Sequence, residues 1–126
     1  MTRTFTLLGV LFAFSGVGLG AFGTHALNAT LTANGRTDTY DTAVQYQLVH
    51  ALALFAAAWA AEKWPGRWTR WAGYLLAVGI VIFSGSLYIL AIFDVRIMGA
   101  VTPLGGAAFL AGWACLGWAA WRAEAS

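Results

Sequence analysis

The few charged residues of this chain are placed so that four long apolar runs, 5–27, 42–61, 71–93 and 97–121, lie between them. A helix needs roughly 20 apolar residues to cross a hydrocarbon core, and each run is near that length. Inside lipid every backbone N–H and C=O must be satisfied within the segment, which leaves helix as the state for all four. Only 10% of the residues are charged and 60% are hydrophobic. A soluble domain carries about 25% charged residues, so a chain this apolar must turn most of its surface towards lipid. The expectation is an all-α fold, an integral membrane four-helix bundle, with residues 1–126 forming a single four-span transmembrane domain in the bilayer.

The connections set the topology. The segment 28–41 reads as a long polar loop, with a turn at Asn34-Gly35. Thr42 with Gln45 fits a capping box opening the second helix. The connection 62–70 holds Lys63, Pro65, Gly66, Arg67 and Arg70, and the one at 94–96 is very short. Short links imply antiparallel neighbours. Four spans put the N-terminus, the second connection and the C-terminus on one side. That side carries Arg3, Lys63, Arg67, Arg70 and Arg122 against Arg36 and Arg96 on the other. The positive-inside rule then makes both termini cytoplasmic. Trp64, Trp68, Trp71 and Trp121 near the same boundary fit an interfacial aromatic belt. The first run is longer than the ~7–15-residue core of a signal peptide and lacks a cleavage motif, so it is read as retained.

Several function classes are excluded or unsupported. The net charge of +2 is small and the basic residues are scattered, so there is no nucleic-acid footprint. Gly18, Gly20 and Gly23 match G-x-G-x-x-G by letter, but no strand precedes them and they lie inside an apolar run, so no dinucleotide site follows. Cys115 is alone, cannot form an intrachain disulfide, and reads as a small packing residue. The two histidines, His25 and His50, lack further ligands at metal spacing, whereas a catalytic zinc needs about three. No catalytic residue, metal or cofactor is assigned, and the chain is not read as an enzyme: no serine has a placed base. No span has a carboxylate near its middle, which weakens the reading of a proton-driven exporter.

Two patterns remain. Gly16 and Gly20 form a GxxxG pair with Thr24 continuing the row, and Gly105, Ala108, Gly112, Cys115 and Ala119 form a matching stripe in the fourth run. Small residues let helix backbones approach closely, so these two helices are expected to pack on one another or on another subunit. In the second run Thr42, Tyr46, Gln47 and His50 fall within an arc of roughly 140° at 100° per residue, with Gln45 off it. Polar groups this dense face protein or a water cavity. Tyr46, Gln47 and His50, joined by His25 from the first helix and by Ser84, Tyr88 and Thr102, define a candidate polar pocket near the non-cytoplasmic side. An imidazolium in low dielectric is costly, so His50 is expected to be neutral and hydrogen-bonded. Pro103 is expected to kink or loosen the fourth helix.

The stretches Gly20-Ala-Phe-Gly-Thr-His-Ala-Leu27, Thr42-Ala-Val-Gln-Tyr-Gln-Leu-Val-His-Ala-Leu52, Phe83-Ser-Gly-Ser-Leu-Tyr88 and Gly99-Ala-Val-Thr-Pro-Leu-Gly-Gly106 resemble, in order, those of one family. It comprises small membrane proteins carrying the domain of unknown function numbered 423, related to animal transmembrane protein 256. Thr24 stands where that family commonly has alanine. The resemblance implies a four-span protein of the inner (plasma) membrane and brings no reaction or ligand with it. Two function classes therefore stand: a small-ligand or proton binding or transport module using the polar pocket, or a structural or assembly protein. In the second, glycine-rich helices join a homo-oligomer or a larger membrane complex.

Overall fold

The computed structural model describes residues 1–125; Ser126, counted in the expected domain, lies outside them. The described residues form helices and connecting turns, with no strand among them. In chain order they are α1 (Thr2–His25), α2 (Asn28–Asn34), α3 (Thr37–Lys63), α4 (Arg67–Gly79), a π-helical turn (Ile80–Ser84), α5 (Gly85–Phe93) and α6 (Met98–Ala125). The helix Arg67–Phe93 is one span, so that four helices are long and apolar enough to cross a membrane.

Two expectations about the first connection are corrected. Residues 28–41 do not form a long loop. Asn28–Asn34 is a short helix ended by Gly35 at φ 65°, the left-handed C-cap that glycine adopts without strain. Immediately afterwards α3 begins, at Thr37 rather than at Thr42, and no side chain caps it. The Thr42 hydroxyl donates instead to the Asp38 carbonyl one turn back, at 2.9 Å, so the Thr42–Gln45 capping box does not form. The short helix is anchored by its one buried residue, Leu31, which packs with Tyr40 and Ala91.

At the centre of the fold, α3 touches α1, α2, α4, the π-helical turn and α5. Lipid tails are as apolar as leucine, so packing and hydrogen bonds, not the hydrophobic effect, hold spans together. The packing is bulk against notch. The Gly9 notch of α1 meets Phe55, Gly16 meets Leu48 and Gly23 meets the Tyr40 ring. Gly20 has a looser contact with Val44, 3.3 Å from where a Cβ would stand. On the other side of the bundle α6 packs on α4 and the π-helical turn. A Cβ on Gly105 would stand 2.4 Å from the Phe83 backbone nitrogen, and one on Gly112 3.0 Å from Leu76. The expected glycine notches are therefore real, but their partners are corrected. Gly16 and Gly20 face α3, and Gly105 and Gly112 face the third span, so α1 and α6 do not pair through these rows. Despite Pro103, α6 is assigned as continuous helix.

Phe5, Leu54, Ala57, Leu76, Ile80 and Phe109 form the main buried cluster. The connections at Asn34–Arg36 and Asp94 meet at one end: the Asn34 amide donates to the carbonyls of Ala91 and Ile92 at 3.0 and 3.1 Å, and Arg36 pairs with Asp94 at 3.6 Å. The Trp64–Gly66 connection and the last turns of α6 line a common cleft at the other end.

Candidate functional site

Ala43, Gln47 and His50 are buried along one face of α3, at positions i, i+4 and i+7. The amide of Gln47 is the hub. Its Nε2 donates to the Phe12 carbonyl at 2.9 Å and to Ser15 Oγ at 2.8 Å, both on α1. Its Oε1 accepts from the Tyr88 hydroxyl on α5 at 2.6 Å. One side chain thus ties three helices together. Nearby the Tyr40 hydroxyl donates to the Leu19 carbonyl, and the Tyr40 and Tyr88 rings meet edge to face at 5.3 Å.

His50 is the midpoint of α3, about 20 Å from each helix end at 1.5 Å per residue. It therefore lies at the middle of the helix rather than about two turns from its start. The Trp113 indole N–H donates to its Nε2 at 3.1 Å. An indole nitrogen can only donate, so Nε2 is the unprotonated nitrogen. Nδ1 then carries the proton and donates it to the Tyr46 carbonyl at 2.8 Å. This arrangement holds a neutral imidazole, because a proton on Nε2 would oppose the indole N–H. The ring lies against Phe109, centroids 3.6 Å apart and planes 12° off parallel. Phe109 in turn contacts Phe83 at 5.4 Å, and Tyr46 stacks on Phe83 at 4.6 Å.

Two further pairs stitch the third span to its neighbours. The Ser84 hydroxyl, in the π-helical turn, donates to the Ala43 carbonyl at 2.7 Å. Ser86 Oγ and Thr102 Oγ1 are 2.6 Å apart, and Thr102 also donates to the Met98 carbonyl at 3.0 Å.

The expected pocket is thus not one chamber. Gln47 with Tyr88, His50 with Trp113, Ser84 with Ala43, and Thr102 with Ser86 are separate hydrogen-bonded groups. His25 is exposed at the end of α1 and joins none of these hydrogen bonds, and Tyr46 contributes its ring and carbonyl while remaining 41% exposed. Sequence reading missed Ser15 and Trp113. Trp113 looked like one more apolar residue of the fourth run, but a tryptophan within a span needs a partner for its N–H, and His50 Nε2 is the acceptor it meets. Two clefts, of about 480 Å³ and 330 Å³, open on the bundle; neither is lined by Gln47, His50, Ser84 or Tyr88, and the second has Trp113 in its wall.

The family described as "Protein of unknown function (DUF423)" matches residues 19–106, a segment that contains Gln47, His50, Ser84, Tyr88 and Thr102. The chain belongs to this family. Among its relatives, the UPF0382 membrane protein YwdK of Bacillus subtilis (strain 168) is 46% identical over 112 residues, 88% of this chain and 90% of that protein. The UPF0382 inner membrane protein YgdD of Escherichia coli (strain K12) is 42% identical over 117 residues, 92% of this chain and 88% of that protein. No solved structure matches. With four apolar helices and relatives named for the membrane, this DUF423 member is a multi-pass protein of the cell inner (plasma) membrane.

Proposed function

We propose that this protein is a structural and assembly element of the inner membrane. Its interior polar groups hold its own helices in register, and the outer face of α1 docks on another helix, first of all that of a second copy. The observation that carries this reading is the closed hydrogen bonding of the interior. Among the described residues, the buried side-chain N or O left without a partner is Trp68 Nε1, which is not part of the interior set. A binding site needs groups left free for a ligand, whereas each side-chain nitrogen and oxygen of Gln47 and His50 already has a partner. Each interhelical bond in a membrane contributes about 0.6 kcal/mol on average, so these contacts together are worth a few kcal/mol of packing specificity.

The α1 face supports assembly. Phe14, Gly18 and Phe22 stand at i, i+4 and i+8, with the two rings 81% and 58% exposed. Nothing lies within 4 Å of where a Gly18 Cβ would be. A glycine between two exposed rings is a notch into which a neighbouring helix can insert. The test is native mass spectrometry from mild detergent. The expected result is a dimer or larger assembly for the parent chain and monomer for Gly18→Leu, with melting temperatures unchanged because the new side chain meets nothing in the monomer. A parent chain that is monomeric throughout, or an assembly that persists in Gly18→Leu, contradicts the proposal.

The binding or transport reading has one specific observation in its favour: a π-helical turn, Ile80–Ser84, lies beside the aromatic groups around His50. Such turns are frequent at functional sites. That reading requires Trp113 to release His50 Nε2. Trp113→Phe separates the two readings. On the assembly reading it lowers the melting temperature and leaves proton flux into proteoliposomes at background; on the transport reading it changes the flux.

The distribution of Lys and Arg supports placing the Lys63–Arg67 end in the cytoplasm. A membrane-impermeant thiol reagent on intact cells should then label a cysteine at exposed Ala33 in a Cys115→Ala background. Labelling only after lysis reverses the orientation.

A further inference from the structure

The end of the bundle formed by the Trp64–Gly66 connection carries a cleft of about 480 Å³, whose lining includes Lys63, Trp64, Arg67, Trp68 and Arg122. Three of its walls are cationic. Among residues 1–123, whose side chains the structure describes, no carboxylate lies within ion-pair distance of Lys63, Arg67 or Arg122; the ion pair Arg36–Asp94 is at the opposite end. The Arg67 guanidinium stands 5.1 Å from the centroid of the Trp68 ring. Uncompensated positive charge gathered around a concave surface attracts an anion.

The backbone adds to that charge. Gly66, Arg67, Trp68 and Thr69 line the cleft and are the N-cap and first turn of α4, which no side chain caps. The first backbone bond of the helix is from Arg70 N–H to the Gly66 carbonyl, at 3.3 Å. The N–H groups of Arg67, Trp68 and Thr69 have no intrahelical acceptor, and the positive end of the helix dipole coincides with them. Trp68, whose buried indole N–H has no partner, is part of the same wall.

A second cleft, of about 330 Å³, has Trp64 as a common wall with the first. It runs between α3 and α6, is lined by Ala56, Trp59, Ala60, Trp113 and Gly117 among others, and is almost wholly apolar. Both helices are membrane spans, so this groove opens into the hydrocarbon. A basic cleft at the membrane boundary joined to an apolar groove within it fits one class of molecule, an amphiphile with an anionic head. We infer that this end of the bundle binds an anionic phospholipid, its phosphate held among Lys63, Arg67, Arg122 and the α4 N-terminus, and an acyl chain lying in the groove between α3 and α6. Basic pockets between spans are a known means of holding anionic headgroups. A soluble phosphate would use the cleft and leave the groove without a role. The inference is independent of the assembly reading, since it uses neither Gly18 nor the interior hydrogen bonds.

The full chain, delipidated in neutral detergent, provides the test. Binding of phosphatidylglycerol and of phosphatidylcholine with the same acyl chains is measured by native mass spectrometry, with inorganic phosphate as competitor. Phosphatidylglycerol should bind at least about tenfold more tightly, because its headgroup carries a net negative charge and that of phosphatidylcholine carries none. Arg67→Gln/Arg122→Gln should reduce it to the phosphatidylcholine level, and Arg122→Gln alone, at an exposed position, should give part of that loss. Gly117→Leu, whose side chain has open space within the bundle, should weaken both lipids by filling the groove. Equal binding of the two lipids to the parent chain, or a preference that survives both arginine changes, overturns the inference. Displacement by millimolar inorganic phosphate together with no effect of Gly117→Leu also overturns it, and assigns the cleft to a soluble anion.

Discussion

The two ends of the bundle are built in opposite ways. At the end holding α2, the two connections are tied to one another. Asn34 caps two carbonyls of α5, Arg36 pairs with Asp94, and Leu31 plugs the space beside Tyr40 and Ala91. At the end holding Trp64–Gly66, the helix N-terminus is uncapped, three cations lack carboxylate partners among residues 1–123, and an indole N–H is unpaired. Both ends are polar by sequence. The difference is whether the polar groups are matched to one another, and matched groups stabilise a fold whereas unmatched ones are available to something outside it.

If that contrast is right, substitutions at the closed end should cost stability and those at the basic end should not. The largest effect is expected for Gly23→Leu. Its Cβ would stand 2.3 Å from the Tyr40 ring, and Tyr40 is fully buried and hydrogen-bonded to Leu19, so it has little room to move. Overpacking of this kind costs about 3 kcal/mol, read as a large fall in melting temperature or loss of folded protein in detergent. A variant that melts with the parent would mean that the α1–α3 packing is looser than described. Next is Asn34→Ala, which strips both carbonyls of their side-chain donor and should cost about 1–3 kcal/mol, measurable by chemical denaturation in mixed micelles.

Smaller still is Arg36→Gln. The Arg36–Asp94 pair is partly exposed, at 31% and 44%, and such a pair contributes up to about 1 kcal/mol, less at high salt. A melting temperature whose drop vanishes in high salt is the expected signature. The smallest effect is expected for Lys63→Gln at the basic end, within about 0.5 kcal/mol. A loss as large as that of Asn34→Ala would show that the basic end is also internally matched, and the contrast would fail.

Much of this was legible in the residues. The four spans followed from where the charges fall, because lipid allows no other place for them. The need for close helix approach at Gly16, Gly20, Gly105 and Gly112 was equally legible, because glycine in a span has few other uses. Which helix fills each notch was not, since a glycine row does not name its partner. The complementary bulk of Leu48 and Tyr40 on α3, and of Phe83 and Leu76 on the third span, decided it. The short helix Asn28–Asn34 was missed because its composition is that of a loop. Its signals were the Leu27–Leu31 spacing and a glycine positioned as a left-handed cap. The polar arc on α3 correctly marked Gln47 and His50 as inward-facing. Periodicity could not show that their partners were Ser15, Tyr88 and Trp113, because hydrogen bonds between helices depend on depth and rotation that one helix does not encode. Exposed His25 shows the limit of grouping residues by type alone.

The central claim is that the interior polar groups are closed on one another, with His50 as its most exacting case. Nitrogen-15 NMR of the histidine rings in lipid nanodiscs at pH 7, with His25→Gln to assign the signals, tests it directly. The account predicts a neutral His50 ring protonated on Nδ1, with a through-bond or proximity signal to the Trp113 indole N–H that disappears in Trp113→Phe. A ring protonated on Nε2, or an imidazolium, would contradict it, because neither can accept the indole hydrogen bond on which the closure depends.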